Sequence, residues 1–306
     1  MLRIVSLIAS ATEIIHSLGL GQFQVGRSHE CDYPESVRQL PVCTRPSFET
    51  GGSSRQIDQL VKQQLASAAS IYEVFPDVLD SLEPTHILTQ TQCKVCAVSL
   101  DDVERALGKS VRSRPQIVAL EPNCLADVWS DIARVGDACG ISDTASQLVA
   151  DLLNRITGIA QRARAASSCP RVACIEWLDP LMAAGNWVPE LVNLANAENL
   201  FGEPGKHSPW LTWRELSTAD PDIIIAMPCG FDLEKTEQEM RWMTCRPEWR
   251  TLRAVHNNQV YLADGNQYMN RPGPRVVESL QILAEVAHPG AFPPALEGKG
   301  WKRFSV

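Results

Sequence analysis

Glu83-Pro84-Thr85-His86-Ile87-Leu88-Thr89-Gln90 leads within three residues to Cys93, and Asp220-Pro221-Asp222-Ile223-Ile224-Ile225-Ala226-Met227 leads within two to Cys229. Each stretch is an acidic-Pro turn, a short apolar strand and a polar loop bearing a cysteine. A chain that writes this unit twice is built from two equivalent halves. Two such halves suit a ligand held in a cleft between them.

Working outward, residues 2–7 form an apolar run of the kind found in a buried parallel strand. Ser10-Ala11-Thr12-Glu13 follows and reads as a capping box, with Ser10 as the cap and Ile14, Ile15 and Leu18 as the apolar face of a helix closed by Gly19 and Gly21. Further strands are expected near 24–26 and over 86–89 and 116–120, with helices over 57–69, 75–82, 101–107 and 125–139. Strands alternating with helices imply a parallel sheet covered on both faces.

Residues 142–166 differ in kind: they hold no proline and one glycine, Gly158. Leu148, Val149, Leu152, Leu153, Ile156, Ile159, Ala160 and Ala163 recur at helical spacing. At 1.5 Å per residue the stretch spans roughly 37 Å, long for a surface helix of one lobe. It reads as a brace joining two lobes; two helices broken near Gly158 are the alternative. Residues 171–177 then start a second lobe, with helices over 187–195, 233–243 and 275–287 and strands over 223–226 and 259–262. Thr212-Trp213-Arg214-Glu215 is a second capping box. The expected fold is α/β, two Rossmann-like lobes with parallel sheets joined by one long connecting helix: lobe 1–140, helix 141–168, lobe 169–290 and a loosely held tail 291–306.

The 306 residues are 44% hydrophobic and 21% charged, ordinary for a globular protein. A net charge of −8 argues against nonspecific nucleic-acid binding and gives no polybasic handle for anionic membranes. No apolar run approaches the length of a membrane span. Met1-Leu2-Arg3-Ile4-Val5-Ser6-Leu7 runs straight into a polar helix start without a signal-like pattern, so the chain is expected in the cytoplasm. It is expected to act as a monomer. Its ten cysteines are then expected to be reduced thiols, mostly buried.

Cys93-Lys94-Val95-Cys96 is a CxxC, a spacing used for zinc, iron–sulfur clusters or redox chemistry. Four ligands would require Cys31 and Cys229, each in a loop after a strand, to join Cys93 and Cys96; a thioredoxin-type site fits less well, because such motifs start a helix after the first strand of a small domain. His29-Glu30-Cys31-Asp32-Tyr33-Pro34 is dense in reactive side chains, or simply a polar turn. Trp177, Trp187, Trp210 and Trp213 crowd the early second lobe, where flat rings suit a bulky conjugated ligand or ordinary packing. For Trp213, inside a capped helix, packing is favoured. There is no GxGxxG after a strand, no Walker loop, no GxSxG and no HExxH, and nothing in the sequence requires an enzyme.

Ile4-Val5-Ser6-Leu7 with Ser10-Ala11-Thr12-Glu13, Leu18-Gly19-Leu20-Gly21, Val25-Gly26 and Cys31-Asp32-Tyr33-Pro34 resembles the opening of cobalamin-binding proteins. These are the ligand-capturing components of vitamin B12 ABC importers, in the helical-backbone class (class III) of periplasmic binding proteins. The resemblance continues through Leu82-Glu83-Pro84, 210–215 and Asp220-Pro221-Asp222 to Val260-Tyr261, Asp264-Gly265 and Asn270-Arg271-Pro272-Gly273-Pro274-Arg275. It implies noncatalytic binding of a corrinoid, most simply cobalamin, and delivery to an ABC transporter permease through one acidic side chain on each lobe, Asp77 and Glu215. Cys93-Lys94-Val95-Cys96 and Pro228-Cys229-Gly230-Phe231 depart from the usual pattern and suggest a cytosol-type, cysteine-rich branch. Pocket candidates are Ser10, Asp32, Tyr33, Gln92, Trp177, Trp187, Trp210, Cys229 and Arg271, with the rings on the macrocycle and Asp32, Gln92 and Arg271 on its amide rim. Two other readings remain: a cytosolic zinc or iron–sulfur protein, with Cys31, Cys93, Cys96 and Cys229 as ligands, and a partner-binding module that kept the fold and lost the ligand.

Overall fold

In the computed structural model, which describes residues 1–67, 70–92, 98 and 100–305, the chain divides into two compact units. One comprises Met1–Gly52, Gln59–Pro122 and Ala126–Asp151; the other comprises Ser53–Asp58, Asn123–Leu125 and Leu152–Val306.

The first unit contains β1 (Ile4–Ser6), β2 (Gln24–Arg27), β3 (Thr44–Pro46), β4 (Tyr72–Val74), β5 (His86–Gln90) and β6 (Gln116–Leu120). Four of them form a parallel sheet in the order β2-β1-β5-β6; β3 and β4 pair apart as a small antiparallel ribbon. Its core gathers Val5, Leu7, Leu79, Ile87, Val98 and Val103, all nearly inaccessible. Consecutive apolar residues in β1 and β5 are buried, as a strand covered on both faces requires.

The second unit contains β7 (Arg171–Leu178), β8 (Leu181–Ala183), β9 (Glu198–Asn199), β10 (Ile223–Ala226), β11 (Val260–Ala263) and β12 (Trp301–Arg303). The sheet runs β12-β11-β10-β7-β8, with β9 also on β7. The β7-β10-β11 core is parallel, and the edges β8 and β12 are antiparallel. Ile175, Leu216, Ile224, Met240, Trp249 and Leu262 pack on one face, and Trp213 leans on them half-buried.

The written repeat is a structural repeat. The strand after each acidic-Pro turn is central: β5 lies between β1 and β6, and β10 between β7 and β11. In both cases the acid ends a seven-residue helix in the left-handed region, Glu83 after Pro76–Leu82 at φ 43° and Asp220 after Trp213–Ala219 at φ 42°. The following proline cannot continue a helix, so the chain turns into the strand.

Ser142–Arg164 is one helix, unbroken at Gly158. Its buried stripe is Ala145, Leu152, Ile156, Ala160 and Ala163, narrower than the apolar pattern suggests, since Leu153 is 41% exposed. The boundary between the two units falls inside it, after Asp151.

Three local expectations are corrected. The first helix is Ala9–Ser17, with Ile8 at its N-cap and no side-chain cap, so Ser10 lies inside the helix rather than capping it. The helix expected over 233–243 is two pieces, Leu233–Glu239 and Arg241–Thr244. The residues after 291 are firmly held, not loose. Phe292 and Trp301 are buried, β12 pairs with β11, and the Glu285 carboxylate accepts from Trp301 Nε1 at 2.7 Å and from the Leu296 amide at 3.1 Å.

Candidate ligand-binding site

Open parallel sheets bind ligands at the carboxyl ends of their strands, where loops are free to present side chains. In the first unit these ends are the turn after β1, the loop after β2 and the residues after β5. The loop after β2 is tightly held. Arg27 donates to the carbonyls of Ser28 and Cys31 at 3.0 and 3.3 Å and to that of Arg38 at 3.2 Å, so the loop curls around a guanidinium. The His29 ring shares a 2.9 Å hydrogen bond with the Thr44 hydroxyl and lies 5.5 Å from the Tyr72 ring. Burial, with help from the Arg27 charge, pushes His29 down to about 4, so it is neutral at neutral pH.

Cys31 anchors the same loop to the first helix. The Thr12 hydroxyl donates to its Sγ at 3.0 Å, and the thiol reaches the Ser6 carbonyl oxygen at 3.8 Å. Burial pushes the Cys31 thiol up. A neutral, buried thiol beside a carbonyl oxygen suits an anchor and not the thiolate ligand of the metal reading. Beyond it, Asp32 is half-buried and Tyr33 is 45% exposed. Ser10 is buried in the first turn of the helix that follows β1, and its hydroxyl has no partner. Gln92 is half-buried two residues past β5. Cys93 and Cys96 lie outside the described residues.

In the second unit the ends of three adjacent strands converge. Trp177, near the end of β7, stands 5.3 Å from the Phe231 ring, which lies on the loop after β10. That loop is joined to the turn after β11: the Gly265 and Asn266 amides both donate to the Phe231 carbonyl, at 2.9 and 3.1 Å, and Asn270 Nδ2 donates to the Met227 carbonyl at 3.1 Å. Gly265 is required here, because a Cβ would sit 2.0 Å from the Pro228 carbonyl oxygen. The turn Gly265–Met269 is a π-helical turn, a geometry frequent at functional sites. Asp264 begins it, accepting from the Gln267 amide at 2.6 Å, and burial pushes its carboxyl up. Arg271 is 4% exposed and donates to Asn266 Oδ1 at 3.1 Å. Cys229 is half-buried, and its amide donates to the Glu176 carbonyl at 3.2 Å.

Trp177, Cys229 and Arg271 therefore share one end of one sheet. Phe231 and Asn266 join them and were missed by sequence reasoning; the signal available was the Pro228-Cys229-Gly230-Phe231 departure itself. Trp187 stands apart at the start of helix Val188–Leu194, buried, with its indole N–H unpartnered. Trp210 is 58% exposed and bridges Met182 at the sheet edge. The Glu176 carboxylate is buried and accepts from the Ser208 hydroxyl at 2.9 Å, fixing the 206–208 segment that Gly185 approaches closely.

Of the two expected docking acids, Asp77 is exposed in the first turn of Pro76–Leu82. Glu215 closes the capping box of Trp213–Ala219: it accepts from the Thr212 amide at 2.8 Å and hydroxyl at 2.6 Å, which holds its carboxyl below the usual range. Among the described residues no three His, Cys, Asp or Glu side chains gather as a metal site, and no helix is long and apolar enough to cross a membrane.

Comparison with known proteins places these features. A profile described as periplasmic binding protein matches residues 4–266. An ABC transporter substrate-binding lipoprotein of Bacillus subtilis strain 168, YvrC, is 22% identical over 95% of this chain and 81% of its own length. A vitamin B12-binding protein of Vibrio cholerae is 21% identical over 91% of this chain and 86% of its own. The crystal structure of a periplasmic heme-binding protein from Pseudomonas aeruginosa superimposes with a TM-score of 0.74 at 18% identity, covering 99% of this chain and 98% of that one.

Proposed function

Because this chain belongs to the periplasmic binding protein family, we propose that it captures a corrinoid and hands it to an ABC importer. Members of the family among its relatives are noncatalytic, substrate-binding components of transporters. The observation that carries the corrinoid reading is the end of the second unit's sheet. The half-buried Trp177 presents a flat apolar ring backed by the buried Phe231, and the buried Arg271 with its half-buried partner Asn266 stands beside them on the joined loops. A macrocycle with an apolar face and a polar rim matches that pairing of surfaces. The Vibrio cholerae relative named for vitamin B12 supports the same class.

Titrating cobalamin into the ligand-free protein tests the proposal by absorbance or calorimetry. A saturable signal that weakens when Trp177 becomes Ala is expected. No signal at high micromolar cobalamin rejects the corrinoid reading. Heme is the second reading, favoured by the heme-binding protein that shares the fold along almost the whole chain. Hemin in a parallel titration decides between the two. Docking would use Asp77 and Glu215, one acid on each unit, as the family resemblance implies.

A further inference from the structure

Ser10 has the sequence position of a helix cap, and the structure leaves that helix uncapped. Ile8 occupies the N-cap with an aliphatic side chain, and the first turn holds no acidic residue. Helix geometry deprives the first backbone N–H groups of intrahelical acceptors, and the positive end of the helix dipole lies behind them. Ser6 and Thr12 are the neighbouring hydroxyls, and both are engaged. Ser6 donates to the Ile8 carbonyl at 2.9 Å and Thr12 to Cys31 Sγ at 3.0 Å. Glu13, buried one turn on, has a partner of its own. The Ser10 hydroxyl is 2% exposed and has none. Side chains in a helix lean toward its N-terminus, so this hydroxyl is directed back over the uncapped end. A buried hydroxyl without a partner and a ring of unsatisfied amides ask for the same thing, an oxygen acceptor bearing negative charge.

We propose that the first turn of helix Ala9–Ser17, with the Ser10 hydroxyl, binds an oxyanion, a carboxylate or a phosphate group. The inference concerns the first unit alone and takes from the proposed function only the class of molecule that would carry such a group. A tetrapyrrole supplies such a group through its propionates, and a complete corrinoid through its nucleotide phosphate.

Inorganic phosphate is the direct probe, titrated into the full chain and followed through the backbone amide signals of Ala9, Ser10 and Ala11 by NMR. Saturable shifts at these three amides are expected, and Ser10→Asp should abolish them by placing a carboxylate where the anion sits. Ser10→Ala should weaken phosphate severalfold while raising the melting temperature of the empty protein, because it removes a buried hydroxyl that bonds to nothing. A purely structural hydroxyl would lower the melting temperature instead. Unmoved amides at tens of millimolar phosphate overturn the inference, whether or not any macrocycle binds.

Two ligand pairs identify the source: hemin against its dimethyl ester, and cobalamin against cobinamide, which lacks the nucleotide phosphate. A loss of about tenfold within a pair assigns the charged group to that ligand. Equal affinity within both pairs overturns the role in ligand binding. If all four fail to bind, the proposed function falls, and the phosphate titration still decides the oxyanion site.

Discussion

One added methyl group at Gly265 should disturb the second unit's candidate site more than the loss of any single side chain there. The Cβ of Gly265→Ala would sit 2.0 Å from the Pro228 carbonyl oxygen, against an ordinary contact of 3.4 Å or more. The obstacle is backbone on both sides, so no rotamer change relieves it, and the two loops must separate by more than an ångström. That distance exceeds the tolerance of the Gly265 and Asn266 amide bonds to the Phe231 carbonyl, at 2.9 and 3.1 Å, and of the Asn270 bond to the Met227 carbonyl, at 3.1 Å. Three hydrogen bonds of about 1 kcal/mol each put the loss of stability at about 3 kcal/mol. The same movement carries Phe231 away from Trp177 and shifts the Asn266 partner of Arg271. Urea denaturation measures the first effect as a lower midpoint, and a cobalamin or hemin titration measures the second as an affinity at least severalfold weaker. A variant that denatures and binds like the parent would refute the argument that these loops are locked through Gly265.

Two titratable groups in the first unit, the half-buried His29 and the buried Asp131, should act on stability with opposite pH signs. His29 is pushed down to about 4, so the unfolded chain takes up a proton below 6.5 that the folded chain refuses; its contribution is lost as pH falls from 6.5 toward 4, by about 3 kcal/mol. Asp131 is 1% exposed, and burial raises its carboxyl to about 6 despite Arg134; its contribution is present below about 4 and is lost as pH rises toward 6. The parent's denaturation midpoint should therefore vary little across this window, while His29→Gln falls with rising pH and Asp131→Asn rises; parallel profiles for all three proteins would exclude it. Glu285→Ala leaves the Trp301 and Leu296 N–H groups without their acceptor and should cost about 2–4 kcal/mol, with limited proteolysis cutting after 288 as the marker. Glu215→Gln keeps a residue able to close the capping box and removes the charge, so it should preserve the melting temperature and weaken docking to the cognate permease; unchanged transport complex formation counts against a docking role for Glu215.

What the sequence revealed followed from local physics. The Thr212-to-Glu215 capping box formed as written, because both partners lie within one turn and no other group competes. Residues 116–120 formed the expected strand, and the acidic-Pro turns marked the central strand of each sheet. Ser10-to-Glu13 has the same pattern and behaved otherwise. The Ser6 hydroxyl bonds to the Ile8 carbonyl just ahead of it, and the helix starts one residue before Ser10. The choice is made ahead of the Ser10-to-Glu13 pattern, which by itself does not encode it. The last strand was illegible for a related reason: its acceptor, Glu285, lies sixteen residues away in a helix, and its pairing partner is Val260–Ala263. In the candidate site, the tryptophans drew attention by type alone. Sequence carries no sign that Trp187 is enclosed while Trp210 stands largely in solvent. Phe231 and Asn266 escaped notice because their importance comes from a contact between two loops more than thirty residues apart.

The terminal strand has a further consequence for handling the molecule. Trp301–Arg303 covers the flank of Val260–Ala263, whose four residues are all buried. A chain shortened before Trp301 would present that apolar strand as an open edge, with unpaired amides and carbonyls ready to recruit another copy. The Lys302 and Arg303 charges now hold the outermost position and resist such stacking. Shortened versions should therefore precipitate or form ribbons, even where everything needed for capture is intact.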